Sequence, residues 1–360
     1  MRRRTAIIHD WLNGMRGGEK VLEEIIDFFP DADIFTLFLE EQHVSEKIRN
    51  HPIIVSPLNK YAFVRKRYKH FLPFFPATVE AFNLNAYDLI ISSSHCVAKG
   101  IIPPPGALHV SYIHSPMRYV WDQYDAYFGR EKGIKKFLIQ HQISKLRNWD
   151  VMAAARVDHF IANSEFVKQR IWRYYRRDAE VIHPPVDTDF FQPTPNPGRD
   201  YFLIVSALVP YKAIQRVIEA FNRSGDALMI VGKGPEEKNL KKLAAPNIRF
   251  RSHVSAEELR SLYQHAAALV FAGIEDFGIA FVEALACGTP VLAYKKGGVL
   301  DIVTDDTGIL FESQDVEDIA HALHEFKKRT FDSSRIRQHS LAFSKETFRA
   351  KFRHFIDRIR

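Results

Sequence analysis

The chain has 360 residues, 46% of them hydrophobic, and a formal net charge of +7. That length exceeds one ordinary core and predicts two domains, while no apolar run reaches the about 18 to 20 residues of a membrane span and the first residues read straight into a strand rather than a leader, so a soluble, cytoplasmic protein is expected. The two cysteines, Cys96 and Cys287, support neither a disulfide framework nor, lacking ligand-spaced neighbours, a structural zinc site, and Cys287 reads as a packing residue.

In chain order, the first predicted strand is Thr5 to His9. Gly17 and Gly18 then form a flexible loop into an amphipathic helix, Glu19 to Phe29, which places their amides to approach a phosphate or a sugar. A second strand, Ile34 to Phe38, precedes residues 59–75, a run with five cations, six aromatics and no acid. Interleaved cations and rings suit an anionic membrane surface; a solvated basic helix with a packed aromatic face is the other reading. No nucleic-acid-binding motif accompanies the run, so a nucleic-acid partner is not expected. The excess of basic residues lies before residue 186, where 26 Lys and Arg face 20 Asp and Glu, against 24 and 23 afterwards. Further strands are expected at Leu89 to Ser93, Val110 to His114, His159 to Ala162 and Glu180 to Ile182.

Residues 184–198 contain five prolines, which rules out a central strand or an unbroken helix and predicts an interdomain linker. Strands resume at Phe202 to Ser206, Leu228 to Val231, Ile248 to Arg251, Leu269 to Ala272, Val291 to Ala293 and Ile309 to Phe311. Strands alternating with helical patterns twice over predict two doubly wound α/β domains with parallel sheets. Ligands of such sheets bind beyond the carboxyl ends of strands, and the informative residues follow strands: Gly17 and Gly18, His114, Lys212, Gly232 to Pro235, and Glu275. Gly278 opens an apolar helix that ends at Gly288, so the amides of Phe277, Gly278 and Ile279 stand at a helix N-terminus that favours a phosphate or a hydroxyl-rich ligand. Glu283, inside that helix among apolar neighbours, needs a hydrogen-bond donor, for which ribose hydroxyls are suited.

The stretch E-D-F-G-I-A-F-V-E-A-L-A-C-G-T-P-V, residues 275–291, resembles the Glu-x7-Glu signature of the retaining glycosyltransferases of family 4. H-D-W-L-N-G-M-R-G-G-E-K-V-L-E, S-S-S-H-C-V-A-K-G, Y-I-H-S-P-M-R-Y-V-W-D, A-N-S-E-F-V, H-P-P-V-D-T-D-F-F, A-L-V-P-Y-K and V-G-K-G-P extend the resemblance over nearly the whole chain, toward bacterial mannosyltransferases of surface-polysaccharide assembly. The resemblance implies a GT-B fold, with two Rossmann-like domains facing across a cleft. Residues 1–185 would bind the acceptor and 186–345 the nucleotide sugar, with the helix 346–360 returning to the first domain. It implies an α-mannosyltransferase that moves mannose from GDP-mannose to a polyprenyl-diphosphate-linked oligosaccharide at the inner membrane face. Another nucleotide hexose, a different enzyme class on the same fold and a non-catalytic sugar-nucleotide-binding protein are the alternatives.

By the same resemblance Lys212 contacts the diphosphate, Glu275 grips donor-sugar hydroxyls, Glu283 holds the ribose and His114, which alone would read as a core residue, contacts the donor sugar. Arg118 and Tyr119 line the acceptor side, and Asp10, His95 and Ser164 are further candidates. Fixed cations and helix dipoles would stabilise the departing diphosphate without a metal or other cofactor. One departure stands out. The family commonly has an Arg five residues before the lysine, and here that position is Ala207. A nearby cation must compensate; Lys233, between Gly232 and Gly234, is preferred over Arg216 and Arg251.

Overall fold

The computed structural model describes residues 4–129 and 131–359, with Lys69 and Ala126 described by their backbone alone. The chain divides into two compact units, Met1–His183 with Phe352–Arg360, and Pro184–Lys351. The first holds a seven-stranded parallel sheet of β1 (Thr5–His9), β2 (Asp33–Thr36), β3 (Ile53–Val55), β4 (Leu89–Ser94), β5 (Leu108–Ile113), β6 (His159–Ala162) and β7 (Glu180–Val181), in the order β3-β2-β1-β4-β5-β6-β7. The second holds β8 (Tyr201–Val205), β9 (Leu228–Val231), β10 (Ile248–Arg251), β11 (Ala266–Phe271), β12 (Val291–Tyr294) and β13 (Gly308–Phe311), in the order β10-β9-β8-β11-β12-β13. Both sheets are wound outward from a central pair of strands. β1 and β4 are that pair in one sheet and β8 and β11 in the other, and beyond their carboxyl ends the connections diverge to opposite faces, opening a crevice.

The expected α/β class and its two parallel sheets are what the chain forms. The strands read as apolar runs because both faces are covered: Ile7, Ile90, Ile91 and Val110 are fully buried in the first sheet, and Leu203, Ile230, Leu269 and Val291 in the second. Three local features refine the sequence reading. The first helix is Gly17–Ile26, so Gly17 and Gly18 are its first turn rather than a loop before it; the capping carboxylate of Glu19, bonded to the Arg16 amide at 3.0 Å, starts the helix there. β3 is an additional edge strand. The proline-rich run is not a free linker, because Val186 and Phe191 are buried in the second unit's core and carry the backbone with them.

A buried polar node anchors one helix of the first unit. Asp150 lies late in the long helix Gly133–Ala155, is fully buried, and pairs with Lys99. It also accepts from Trp121 Nε1 and Tyr175 Oη, each at 2.8 Å. This satisfied cluster fixes the second half of that helix on the sheet.

Candidate active site

In the second unit the crevice is formed by the segments after β8 and β11. The first runs into a short 3-10 turn, Pro210–Lys212, and delivers Lys212; the second delivers Glu275. The two side chains form an ion pair, with Lys212 only 5% exposed and Glu275 25%. The Lys212 Nζ lies over the rings of Tyr211 and Phe271, 5.2 and 5.1 Å from their centroids. A desolvated cation against a carboxylate that keeps one side open is suited to hold an anionic group and hydroxyls together.

Glycines shape this crevice by letting backbones touch. A Cβ on Gly298 would stand 2.4 Å from Phe277 Cα and from the Asp276 carbonyl oxygen, and the Gly298 amide donates to the Glu275 carbonyl at 2.9 Å. The loop after β12 therefore props the loop that carries Glu275. Gly278, at φ +99°, turns the chain into the helix Ile279–Ala286; Phe277 and Ile279 flank it, the ring of Phe277 lying against Phe343 at 5.9 Å. Glu283 is buried on that helix and accepts from Tyr263 Oη at 3.0 Å, so the protein itself supplies one of the donors that its burial demands.

Ala207 is exposed, and its neighbour Leu208 donates to the Lys233 carbonyl at 2.9 Å. A Cβ on Gly234 would meet the Leu208 carbonyl at 2.2 Å. The loops of Ala207 and Lys233 thus lie side by side with the exposed Lys233 between two glycines, whereas Arg216 is engaged by Glu219 at 3.5 Å and Arg251 faces Glu258 at 4.0 Å.

In the first unit the crevice between β1 and β4 is closed by Asp10. Its fully buried carboxylate accepts the amides of His95, Cys96, Val97 and Ala98 at 2.6 to 2.9 Å and lies 3.1 Å from His95 Nδ1. Burial raises its pKa, but His95 and these amides outweigh burial and hold it below the ordinary carboxylate range. Beside it His9, His95 and His114 cluster, with ring centroids 6.2 to 6.4 Å apart. Ser93 Oγ bridges two of them, 3.0 Å from His9 Nδ1 and 2.8 Å from His114 Nε2. Glu19 Oε1 lies 3.8 Å from His9 Nε2. Gly18 covers the cluster: a Cβ there would fall 3.5 Å from His9 Cε1 and 3.6 Å from His114 Nε2.

The hydroxyl has one proton, so the bridge couples two tautomers. The Glu19 carboxylate favours a proton on His9 Nε2. Nδ1 then accepts from Ser93, His114 Nε2 donates to Ser93, and His114 Nδ1 is left as an acceptor suited to a hydroxyl. Burial, reinforced by His95 and His9, depresses the His114 pKa to about 3, so the ring is neutral at physiological pH. Sequence reasoning singled out His114, Gly17 and Gly18 but missed His9, Ser93 and Glu19 as a unit; the available signal was that all three sit at a strand end or the following helix N-terminus.

The other candidates are placed less directly. Arg118 Nε donates to Ser115 Oγ at 3.3 Å, and Tyr119 Oη lies 2.6 Å from Cys96 Sγ, so both follow β5 but are tied to neighbours. Ser164 caps the helix Glu165–Tyr175 through the Val167 amide, a structural task. In residues 59–75 the chain forms short 3-10 and α turns rather than one helix, with breaks at Tyr61 and Arg67. Tyr68, Phe71 and Leu72 lean on the core, while Tyr61, Phe63 and Phe74 are 55 to 61% exposed. The rings of Tyr61, Phe63, Phe71 and Phe74 follow one another at 5.7 to 6.3 Å. The Lys69 side chain lies outside the described residues.

These geometries coincide with similarities to known proteins. The model for Glycosyltransferase Family 4 matches residues 15–190 and that for Glycosyl transferases group 1 matches residues 185–340. The chain belongs to the glycosyltransferases of family 4. This family 4 chain is 33% identical, over 44% of its own length and 50% of the relative's, to a GDP-mannose-dependent alpha-(1-6)-phosphatidylinositol monomannoside mannosyltransferase of Mycolicibacterium smegmatis. It is 30% identical over 48% of its length and 45% of the relative's to a D-inositol 3-phosphate glycosyltransferase of a Mycobacterium species. The matched segments thus span about half the length of these curated relatives. In three dimensions the family 4 chain resembles the sucrose-phosphate synthase of Thermosynechococcus elongatus with a TM-score of 0.74, at 16% identity and over 99% of both chains, a likeness of fold.

Proposed function

We propose that the chain is a retaining α-mannosyltransferase that takes mannose from GDP-mannose without a metal and adds it to a polyprenyl-diphosphate-linked oligosaccharide in surface-polysaccharide assembly. The observation that carries this reading is the Lys212–Glu275 pair at the strand-order reversal of the second unit, with Glu283 one helix turn and more beyond it. Lys212 and the first turn of the helix Ile279–Ala286 would take the diphosphate, Glu275 the hexose and Glu283 the ribose. The mannosyltransferase relative supports the choice of base and sugar.

In this mechanism the acceptor hydroxyl oxygen bonds to the anomeric carbon on the face from which the diphosphate leaves. The carbon–oxygen bond to phosphate breaks, and the departing phosphate oxygen takes the hydroxyl proton. Positioning replaces a side-chain base. The string of exposed rings at residues 61–74, with Lys60, Lys66 and Arg67 beside it, supports docking at the inner, anionic face of the cytoplasmic membrane, where a lipid-linked acceptor resides.

The test is a screen of nucleotide sugars for binding and for transfer, with and without EDTA. Turnover of GDP-mannose that survives chelation is expected. Preference for a uridine or thymidine donor, or activity lost on chelation and restored by Mn²⁺ or Mg²⁺, overturns the donor or the metal-free part. Ala207 favours a second reading, a sugar-nucleotide-binding protein without transfer; tight donor binding with no turnover on any lipid-linked acceptor would select it.

A further inference from the structure

The helix Gly133–Ala155 is two-faced along its first half. Ile139, Ile143, Leu146 and Asp150 recur at helical spacing and face the core, Ile143, Leu146 and Asp150 buried and Ile139 partly so. Ile134, Phe137, Leu138 and His141 fall at i, i+3, i+4 and i+7, which is the opposite stripe. Ile134 is 80% exposed, Phe137 68% and Leu138 57%. Every residue from Lys132 to Leu138 is exposed, so these turns stand off the body while the Asp150 node anchors the other end. Burial of an apolar stripe cannot explain the helix here, and three large side chains side by side in water are uncommon for a surface without a partner.

The charge around the stripe selects the partner. Lys132, Lys136 and Lys145 accompany it, Lys135 pairs with Glu131 at 2.8 Å, and no acid lies between Lys132 and Trp149. A second copy of this face would bring like charges together, whereas an anionic lipid surface offers both hydrocarbon for the rings and methyls and phosphate for the lysines. We infer that the outward face of residues 132–141 inserts into an anionic bilayer surface, with Ile134, Phe137 and Leu138 entering the acyl boundary and the lysines at headgroup level. This surface is separate from residues 59–75. The inference rests on the membrane part of the proposed function only in its choice of bilayer, and does not depend on donor or mechanism.

The experiment measures sedimentation of the full chain with vesicles of equal parts phosphatidylglycerol and phosphatidylethanolamine, and with phosphatidylcholine alone. Ile134→Ser, Phe137→Ser and Leu138→Ser together should lower partitioning onto the anionic vesicles on the order of a hundredfold, while thermal midpoint and nucleotide binding stay as in the wild type because these side chains support no core. In a Phe137→Trp variant the emission at that position should shift to the blue on anionic vesicles and be quenched by acyl-brominated lipid. Unchanged partitioning of the triple variant, or no added quenching in the Phe137→Trp variant relative to the wild type, overturns the inference. If only Arg65→Ser, Lys66→Ser and Arg67→Ser abolish sedimentation, membrane docking stands through the other segment and this face is excluded. A lipid-free dimer that the triple variant converts to monomer would instead assign the face to a second copy.

Discussion

Ser93 lies in the serine half of β4, and its hydroxyl decides what His114 can offer. Ser93→Ala removes the link between His9 and His114, so His114 is free to sample both tautomers and its Nδ1 is no longer held as an acceptor. The expected result is a rise of about tenfold in KM for the sugar donor with a smaller change in kcat, restored in large part by Ser93→Thr; ¹⁵N shifts of the His114 ring report the tautomer directly. Equal loss in Ser93→Thr and Ser93→Ala would reduce Ser93 to packing. At Ala207 the missing guanidinium should cost on the order of 2 to 4 kcal/mol of transition-state stabilisation unless replaced. Lys233→Ala is therefore expected to lower kcat about a hundredfold, and Ala207→Arg in that background to recover part of it, since the two loops are bonded neighbours. Near-normal turnover in Lys233→Ala would leave the task to Lys212 and the helix amides. Lys212, Glu275 and Glu283 could be singled out in the sequence because each lies in a local motif. The Ser93 bridge was not, because a serine at a strand end and a histidine 21 residues later announce no contact until β4 and β5 pair in register.

Among elements, the loop after β12 carries more of the site than its sequence suggests. Gly298 has an ordinary helical φ of −65°, so any residue fits its backbone; what forbids a side chain is the Phe277 backbone against it. Gly298→Ala should therefore push the loop of Glu275 outward, lowering transfer by at least about tenfold and destabilising the second unit by roughly 1 to 3 kcal/mol, the usual cost of overpacking. Urea unfolding with nucleotide-binding calorimetry would check it, and wild-type values for both would remove the loop from the site. The sequence placed every strand except β3, whose three residues alternate between half-buried and exposed and follow a proline, too short a stretch for periodicity to register. It misplaced the start of the first helix because Gly-Gly looks like a loop, while the Glu19 cap that overrides it acts through a backbone bond. The helical reading of residues 59–75, one of the two the sequence offered, gives way to short turns separated at Tyr61 and Arg67.

At the scale of the whole molecule, the two units should respond differently to acid. His109 is fully buried beside Ser92, at 2.9 Å, and burial lowers its pKa to about 4. In the unfolded chain it binds a proton near pH 6.5, so its contribution to stability is complete above that pH and is lost as pH falls from about 6.5 through 4, amounting to about 2 to 3 kcal/mol. His114 has the same sign over a wider window. Glu19, where burial is outweighed by His9 and the Arg16 amide so that its pKa falls to about 2, adds a loss as pH drops below about 4.5. All three belong to the first unit, while the depressed carboxylates of the second, the half-buried Glu237 and Glu325 and the exposed Glu317, are held by surface ion pairs and so contribute little. Calorimetry at pH 7 and pH 4.5 should show one transition moving far and the other little, with His109→Gln reducing the displacement. Two transitions that shift in parallel would contradict this assignment.

The two buried cysteines acquire a use from this division. Cys96 sits in the first unit and Cys287 in the second, both as free thiols. Burial pushes the Cys96 thiol well above its ordinary range and that of Cys287 to about 12, so neither is an available nucleophile while its unit is folded. Each half of the protein thus carries a single built-in clock of its own opening. Brief alkylation during denaturation, followed by peptide mass, would read the opening of one half independently of the other, with no residue substituted in the chain.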